Sequence, residues 1–173
     1  MTTKLKSILK SIYRAIPFKH QIYVLVRSIW RPPQRVYQHL HFVGTMKVKV
    51  DNQHSFRMRH YGYQLENEIF WNGIMNGWGK NSLRIWKKLV AQSDVIVDVG
   101  ANTGVYALLA KTINPGADVY AFDPVDRVFE KLLHNVSLNN YDITCIKKAA
   151  SNSSGYARIY DTNSEHTDRK SVV

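Results

Sequence analysis

Apolar positions along the chain change their period twice, and each change marks a different kind of element. Leu5, Ile8, Leu9, Ile12, Tyr13 and Ile16 recur at helical spacing with Lys6, Lys10 and Arg14 between them, and Pro17 ends the segment. A second apolar stretch, IYVLVRSIW, runs to Trp30 and stops before Pro32 and Pro33. From Phe42 the period drops to two. FVGTMKVKV alternates apolar and basic residues, DNQH reads as a turn, and SFRMRHYG alternates again, which predicts a β-hairpin. ENEIFWNGIM then reads as helical and NGWGKN as a glycine-broken loop. LRIWKKLVA predicts a further helix, with Ser82 as its cap and Leu83, Trp86 and Leu89 or Val90 on one face.

Residue 94 opens a third pattern. Val95–Val99 predicts an apolar strand, Val105–Ile113 a helix, Asp118–Phe122 a second strand and Val125–Asn139 a second helix. Ile143–Ala149 predicts a third strand and Tyr156–Tyr160 a fourth, with SNSSG between them. Strands alternating with helices at this spacing imply an α/β architecture, a parallel sheet covered on both faces. The chain divides into a basic amphipathic helical segment (1–41), a β-hairpin and helical lead-in (42–93), the α/β part (94–162) and a polar tail (163–173).

Composition, 45% hydrophobic and 21% charged, is that of a soluble globular protein, and charge sharpens the division. Residues 1–90 carry 16 Lys+Arg against 3 Asp+Glu, whereas residues 91–173 carry 8 against 10. The basic half suggests an anionic partner, whether a membrane surface, a nucleic acid or an acidic glycan, or else a solvated lysine-rich face with none. Residues 4–16 suit a peripheral membrane contact, or a helix packed on its own domain. Phe70, Trp71, Trp78 and Trp86 could stack on bases or pack the lead-in onto the next domain, but no nucleic-acid motif accompanies them, so no specific nucleic acid is expected. Neither a membrane span nor a signal-peptide core is present, and a cytoplasmic location is the default, with the inner face of the membrane as a peripheral site. The single Cys145 lies in an apolar stretch and reads as a buried thiol rather than a nucleophile.

The chemistry concentrates in DVGANTG, residues 98–104. At the end of a parallel strand, Gly100 lets the backbone turn sharply and Gly104 lets the next helix approach closely. Loop amides and a helix N-terminus can then donate to a polar ligand. Asp98 supplies an acceptor suited to an ammonium group or to fixing the loop itself. A dinucleotide fingerprint would need glycine where Asn102 stands, and the lysine and Ser/Thr of a P-loop are missing. Asp123, 25 positions after Asp98, closes the second strand in AFDP, where a carboxylate can accept from both ribose hydroxyls. Two acids around a Gly-x-x-x-Gly loop describe a nucleoside without a diphosphate, and S-adenosylmethionine fits because its ammonium and sulfonium are positive. The plainer alternative makes Asp98 a helix cap and Asp123 a solvated turn residue. No spacing ties His54, His60, His134 or His166 to the loop, so no catalytic base is named.

VIVDVGANTGVYALLA, then VYAFDPVDRVFEKLLHNVSLNN and IKKAASNSSGYARIYD, resembles the FkbM-type S-adenosylmethionine-dependent methyltransferases. The lead-in YQLENEIFWNGIMNGWGKNSLRIWKKL also resembles the segment before that domain, and the resemblance covers roughly residues 45–162. It implies a class I methyltransferase Rossmann-like fold in which Asp98, Gly100, Asn102 and Gly104 form the cofactor loop. Asp123 would bind the ribose, and Ala149 and Ala150 would lie near the adenine through backbone groups. The implied reaction is methylation of a hydroxyl oxygen on a glycan or secondary metabolite. Three departures stand out: Asp123 where the family more often has Glu, Asn152 where an Asp commonly follows Ser, and no Asp-x-Glu-Gly strand. With 75 residues after Asp98, the resemblance implies a partial, C-terminally truncated domain that binds the cofactor weakly and does not complete the transfer. Strand Val95–Val99 would then be an open edge, available for pairing with a second copy. The alternative is a non-catalytic binding protein using its basic half at an anionic surface.

Overall fold

The computed structural model describes residues 17–77 and 79–156. The predicted helix at Leu5–Ile16, the membrane contact through residues 4–16, Trp78, most of the strand Tyr156–Tyr160 and the polar tail lie outside the described residues. Helix α1 (Lys19–Ile29) ends at Trp30, whose extended backbone carries the chain into Pro32 and Pro33. Pro33 precedes the single turn α2 (Gln34–Tyr37), where its missing N–H costs nothing.

Strands β1 (Gly44–Lys49) and β2 (Ser55–His60) form the expected antiparallel hairpin. Met46, Val48, Phe56 and Met58 point inward, while Lys47, Lys49 and Arg57 face out. Asp51 closes the connection by accepting the amides of Gln53 and His54 at 2.9 and 2.8 Å. Lys87 pairs with the same carboxylate at 2.5 Å, tying the turn to a later helix and holding the Asp51 carboxyl well below its usual range.

Helix α3 (Gln64–Asn72) starts where Glu66 reaches back to accept the amides of Tyr61 and Tyr63. Helix α4 (Lys80–Val90) begins two residues before Ser82, which is therefore not its cap. Gly79, with φ of +71°, makes a left-handed turn that an L side chain resists, and this turn starts the helix instead. Leu83 and Val90 are buried and Leu89 is exposed, so Val90 completes the inward stripe.

Strand β3 (Val95–Val99), helix α5 (Val105–Ile113), strand β4 (Asp118–Phe122), helix α6 (Asp126–Ser137) and strand β5 (Ile143–Ile146) build a parallel sheet in the order β3-β4-β5. The pairings Ile96↔Val119↔Ile143 and Asp98↔Ala121↔Cys145 set one face. Ile96, Val119, Ala121 and Ile143 on that face are buried. The expectation of a sheet covered on both faces is corrected: Val95, Val97 and Val99 remain 59%, 50% and 59% exposed. Right-handed crossovers that advance in one direction place their helices on one face, and β3 to β4 to β5 advances only one way. Among the described strands β3 lies at the edge, as expected. Strand β5 is three residues shorter than predicted, because Ile146 O accepts the Lys148 amide and the chain turns there.

A continuous core joins the hairpin to the α/β part, running from Tyr23 and Phe42 through Phe70, Trp71 and Leu108 to Ile143. Trp86 donates to Tyr106 O at 3.0 Å and meets its ring edge-on. Trp86 thus packs the lead-in onto the sheet domain, whereas Phe70 and Trp71 pack on Phe42 and Tyr23.

Candidate functional site

The loop from β3 to α5 is folded onto the end of β4. Gly100 and Ala101 both donate to Phe122 O at 2.9 Å. Asn102 N–H donates to Asp123 Oδ2 at 3.0 Å, and Val125 N–H donates to Asp123 Oδ1 at 3.0 Å. Asp123, buried, also donates its own amide to Ile146 O at the end of β5. Its carboxylate therefore ties the loop after β3 to the chain after β4, and its amide ties that point to the end of β5.

Three residues of the loop take left-handed backbone, and each does so differently. Asn102, at φ +50°, is the side chain that tolerates this region best, which explains an asparagine between the glycines. A Cβ on Gly100, at φ +77°, would meet nothing within 4 Å, so this position faces open space beside Asp98 and Asp123. A Cβ on Gly104, at φ +92°, would stand 2.7 Å from Leu132 Cδ1, and Leu132 is wholly buried. Gly104→Ala is accordingly expected to lose about 2–3 kcal/mol, from left-handed strain plus local overpacking, read as a lowered urea midpoint. An unchanged midpoint would show that Leu132 gives way freely.

Asp98 Oδ2 accepts the Ala107 amide at 3.1 Å and so caps the first turn of α5. Burial pushes its carboxyl up to about 6; the Ala107 amide opposes this, and the neighbouring Asp123 charge adds to it. No Lys or Arg forms an ion pair with Asp98 among the described residues. A half-desolvated carboxylate beside a second acid, without a cation, favours binding a positive group.

The structure thus brings Asp98, Gly100, Asn102, Gly104 and Asp123 into one loop at the C-terminal ends of parallel strands, where α/β sheets place their ligands. Ala149 and Ala150 follow β5 at the same end of the sheet, exposed and three and four residues beyond Ile146. His60 belongs to the core: Gly62 N–H donates to Nδ1 at 2.9 Å, and burial holds the ring down at about 4. Its 3.6 Å approach to Glu66 is consequently not an ion pair. Burial also raises the Cys145 thiol, which keeps it protonated. A cleft of about 290 Å³ lies elsewhere, between Arg27, Lys49, Trp71 and Asn72, and contains none of the loop residues. Among the described residues no group of three or more His, Cys, Asp or Glu could hold a metal ion.

One residue of the site carries almost no sequence signal. Asn135 of α6, wholly buried, donates to Thr103 O at 2.8 Å and accepts the Arg59 amide at 2.8 Å. Asn139, one turn on, exchanges two bonds of 2.7 Å with the backbone of Arg57. These amides satisfy the edge of β2 as a neighbouring strand would, and Asn135 links that edge to the loop. Only the asparagines' spacing of four hinted at a shared face.

No family model matches the chain. No curated protein matches it either. Among solved structures, an S-adenosylmethionine-dependent methyltransferase from Agrobacterium tumefaciens is similar at 19% identity, over 72% of this chain and 45% of that one, with a TM-score of 0.44. The tRNA (uracil-54, C5)-methyltransferase of Pyrococcus abyssi, solved with S-adenosyl-L-homocysteine, is similar at 18% identity over 62% and 23%, with a TM-score of 0.40. The plantazolicin methyltransferase BpumL is similar at 20% identity over 46% and 30%, with a TM-score of 0.33. The chain spans less than half the length of each. Likenesses this distant assign no chemistry to the loop, whose reading rests on its own residues.

Proposed function

We propose that the protein binds S-adenosylmethionine at the β3–α5 loop and serves as an FkbM-type O-methyltransferase acting on a glycan or secondary-metabolite hydroxyl. The observation that carries the proposal is Asp98: half-buried, raised to about 6, and without a cationic partner among the described residues, beside the open space at Gly100. The residues fit the cofactor chemically. Asp98 would take the ammonium group, and the Asp123 carboxylate would take the ribose hydroxyls. The backbone of Ala149 and Ala150 would lie along the adenine. When bound, the cofactor supplies an electrophilic methyl group; this chain's contribution is to hold and orient it. Cytoplasmic location, with peripheral membrane contact through residues 4–16, belongs to the same proposal.

Titration calorimetry with S-adenosylmethionine tests the reading, and pH gives it a sign. Only ionised Asp98 pairs with an ammonium, so affinity is expected to be level above pH 6 and to fall by about tenfold per unit below it. Stability runs the other way in this window. A carboxyl whose folded value exceeds its unfolded 3.8 loses stabilisation as pH rises from there to about 6. Lower affinity at pH 5 therefore cannot be blamed on Asp98 destabilising the fold. Absence of heat at millimolar ligand removes the proposal, and affinity independent of pH between 5 and 7.5 removes the role of Asp98.

A further inference from the structure

The hairpin has two edges, and they differ. On β2, the Arg57 N–H and C=O both bond Asn139, and the Arg59 N–H bonds Asn135. These groups point away from β1, which makes Lys47↔Arg57 and Thr45↔Arg59 non-hydrogen-bonded pairs of the ladder. Across from them, the N–H and C=O of Thr45, Lys47 and, by alternation, Lys49 point out along the other edge of β1. The sheet has two strands, and among the described residues nothing bonds the main chain of Lys47 or Lys49 on that side.

Strand β1 from Met46 onward lines the cleft of about 290 Å³, together with the end of α1 and the last turns of α3. Cations crowd this cleft. Arg27 donates to Phe70 O and lies 4.8 Å from the Phe70 ring centre. Burial lowers the Arg27 guanidinium, and the charge of Arg31 lowers it further. Arg31, Lys47 and Lys49 have no carboxylate partner among the described residues. Asp51, the one acid among the described lining residues, is occupied by Lys87 at 2.5 Å and by the His54 amide at 2.8 Å.

Charge alone would suit any anion, and the strand edge decides between them. Alternating donors and acceptors are satisfied by another strand, whereas a phosphate would meet a repelling carbonyl beside each amide. From Thr45 to Lys49 the edge runs about 13 Å, room for about four or five residues of extended chain. Side chains of such a strand would lie alternately beside Lys47 and Lys49 on the outer face and beside Met46 and Val48 on the inner one. We propose that the free edge of β1 docks an extended acidic segment of a partner protein, in which acidic and apolar residues alternate. Main-chain bonds to Lys47 and Lys49 hold the segment, and their ammonium groups, with Arg31, select its acidic side chains. No residue of the β3–α5 loop lines this cleft, so the docking edge stands or falls independently of S-adenosylmethionine binding.

Amide NMR of the full chain, titrated with the blocked peptide Ac-Glu-Val-Glu-Val-Glu-NH₂, tests the edge. The Lys47 and Lys49 amide signals are expected to move with the peptide, and Ac-Lys-Val-Lys-Val-Lys-NH₂ should leave them in place. Lys49→Gln should weaken binding about threefold. Lys47→Pro should weaken it about tenfold beyond Lys47→Gln, because proline removes an N–H that the β1–β2 ladder does not use. N-methylated peptides make the same test without altering the protein. Methylating either the glutamate or the valine amides, but not both, should abolish binding: the glutamate set if the segment adds antiparallel, the valine set if parallel. Neither methylated form losing affinity, equal binding of the basic peptide, or no shift at millimolar peptide overturns the proposal. So does inorganic phosphate that moves the same amides and displaces the peptide, which assigns the cleft to a small anion. A dimer of the free chain that Lys47→Pro dissociates assigns the edge to a second copy and overturns it as well.

Discussion

Asp123→Ala is expected to lower S-adenosylmethionine affinity by more than about 100-fold, because one carboxylate serves both the loop and the ligand. It accepts the Asn102 and Val125 amides at 3.0 Å each. Charge-assisted bonds contribute about 1.5–3 kcal/mol apiece, and the proposed ribose contacts add one or two more. Alanine therefore frees the left-handed turn at Asn102 at the same moment that it removes the ribose acceptor. Asp123→Asn separates the two roles in part, since its amide NH₂ must face one of the two backbone donors. Asp123→Glu is informative in another way. The bond to Val125 spans only two residues and suits a short side chain, so the extra methylene should disturb the brace while keeping a carboxylate. Calorimetry on each variant, with near-UV circular dichroism as a check of the fold, decides the matter. If Asp123→Ala binds within about fivefold of the parent, Asp123 is a brace and nothing more.

Much of this arrangement is written locally in the chain. The ends of β3, α5 and β4 coincide with the predicted ones because each change of period there is sharp and glycine-marked. DVGANTG was legible because left-handed backbone favours Gly and Asn, and the three residues of the predicted loop that take it, Gly100, Asn102 and Gly104, are of these types. Ser82 misled because a capping residue is a local signal, and the turn at Gly79 overrode it. The open sheet face was hidden for a different reason. Strand composition shows what is apolar, whereas crossover direction decides which side the helices take. Likewise the raised Asp98 carboxyl depends on burial, and no residue type reports its own burial. The link between hairpin and loop was the least visible, since Arg59 and Asn135 lie 76 residues apart.

That link also makes the strongest prediction about stability. Asn135→Leu keeps the number and branching of side-chain heavy atoms, so no cavity confuses the result. It strips the acceptor from the Arg59 amide and the donor from Thr103 O, in a place where Asn135 is wholly buried and water cannot substitute. Each stranded group costs about 1–3 kcal/mol, so a loss of about 3–5 kcal/mol is expected, a large part of the stability of a domain this size. Asn139→Leu breaks the matching pair with Arg57, but Arg57 is exposed and water can replace the partner, so about 1 kcal/mol should go. Asn135→Asp should fall between them, since it still accepts from Arg59 but can no longer donate to Thr103 O while ionised. Urea denaturation of the three variants orders them. A midpoint for Asn135→Leu equal to that of Asn139→Leu would mean that the hairpin and the loop are held together by packing alone. The predicted order would instead make one buried amide the means by which the basic half of the chain fixes the geometry of the acidic loop.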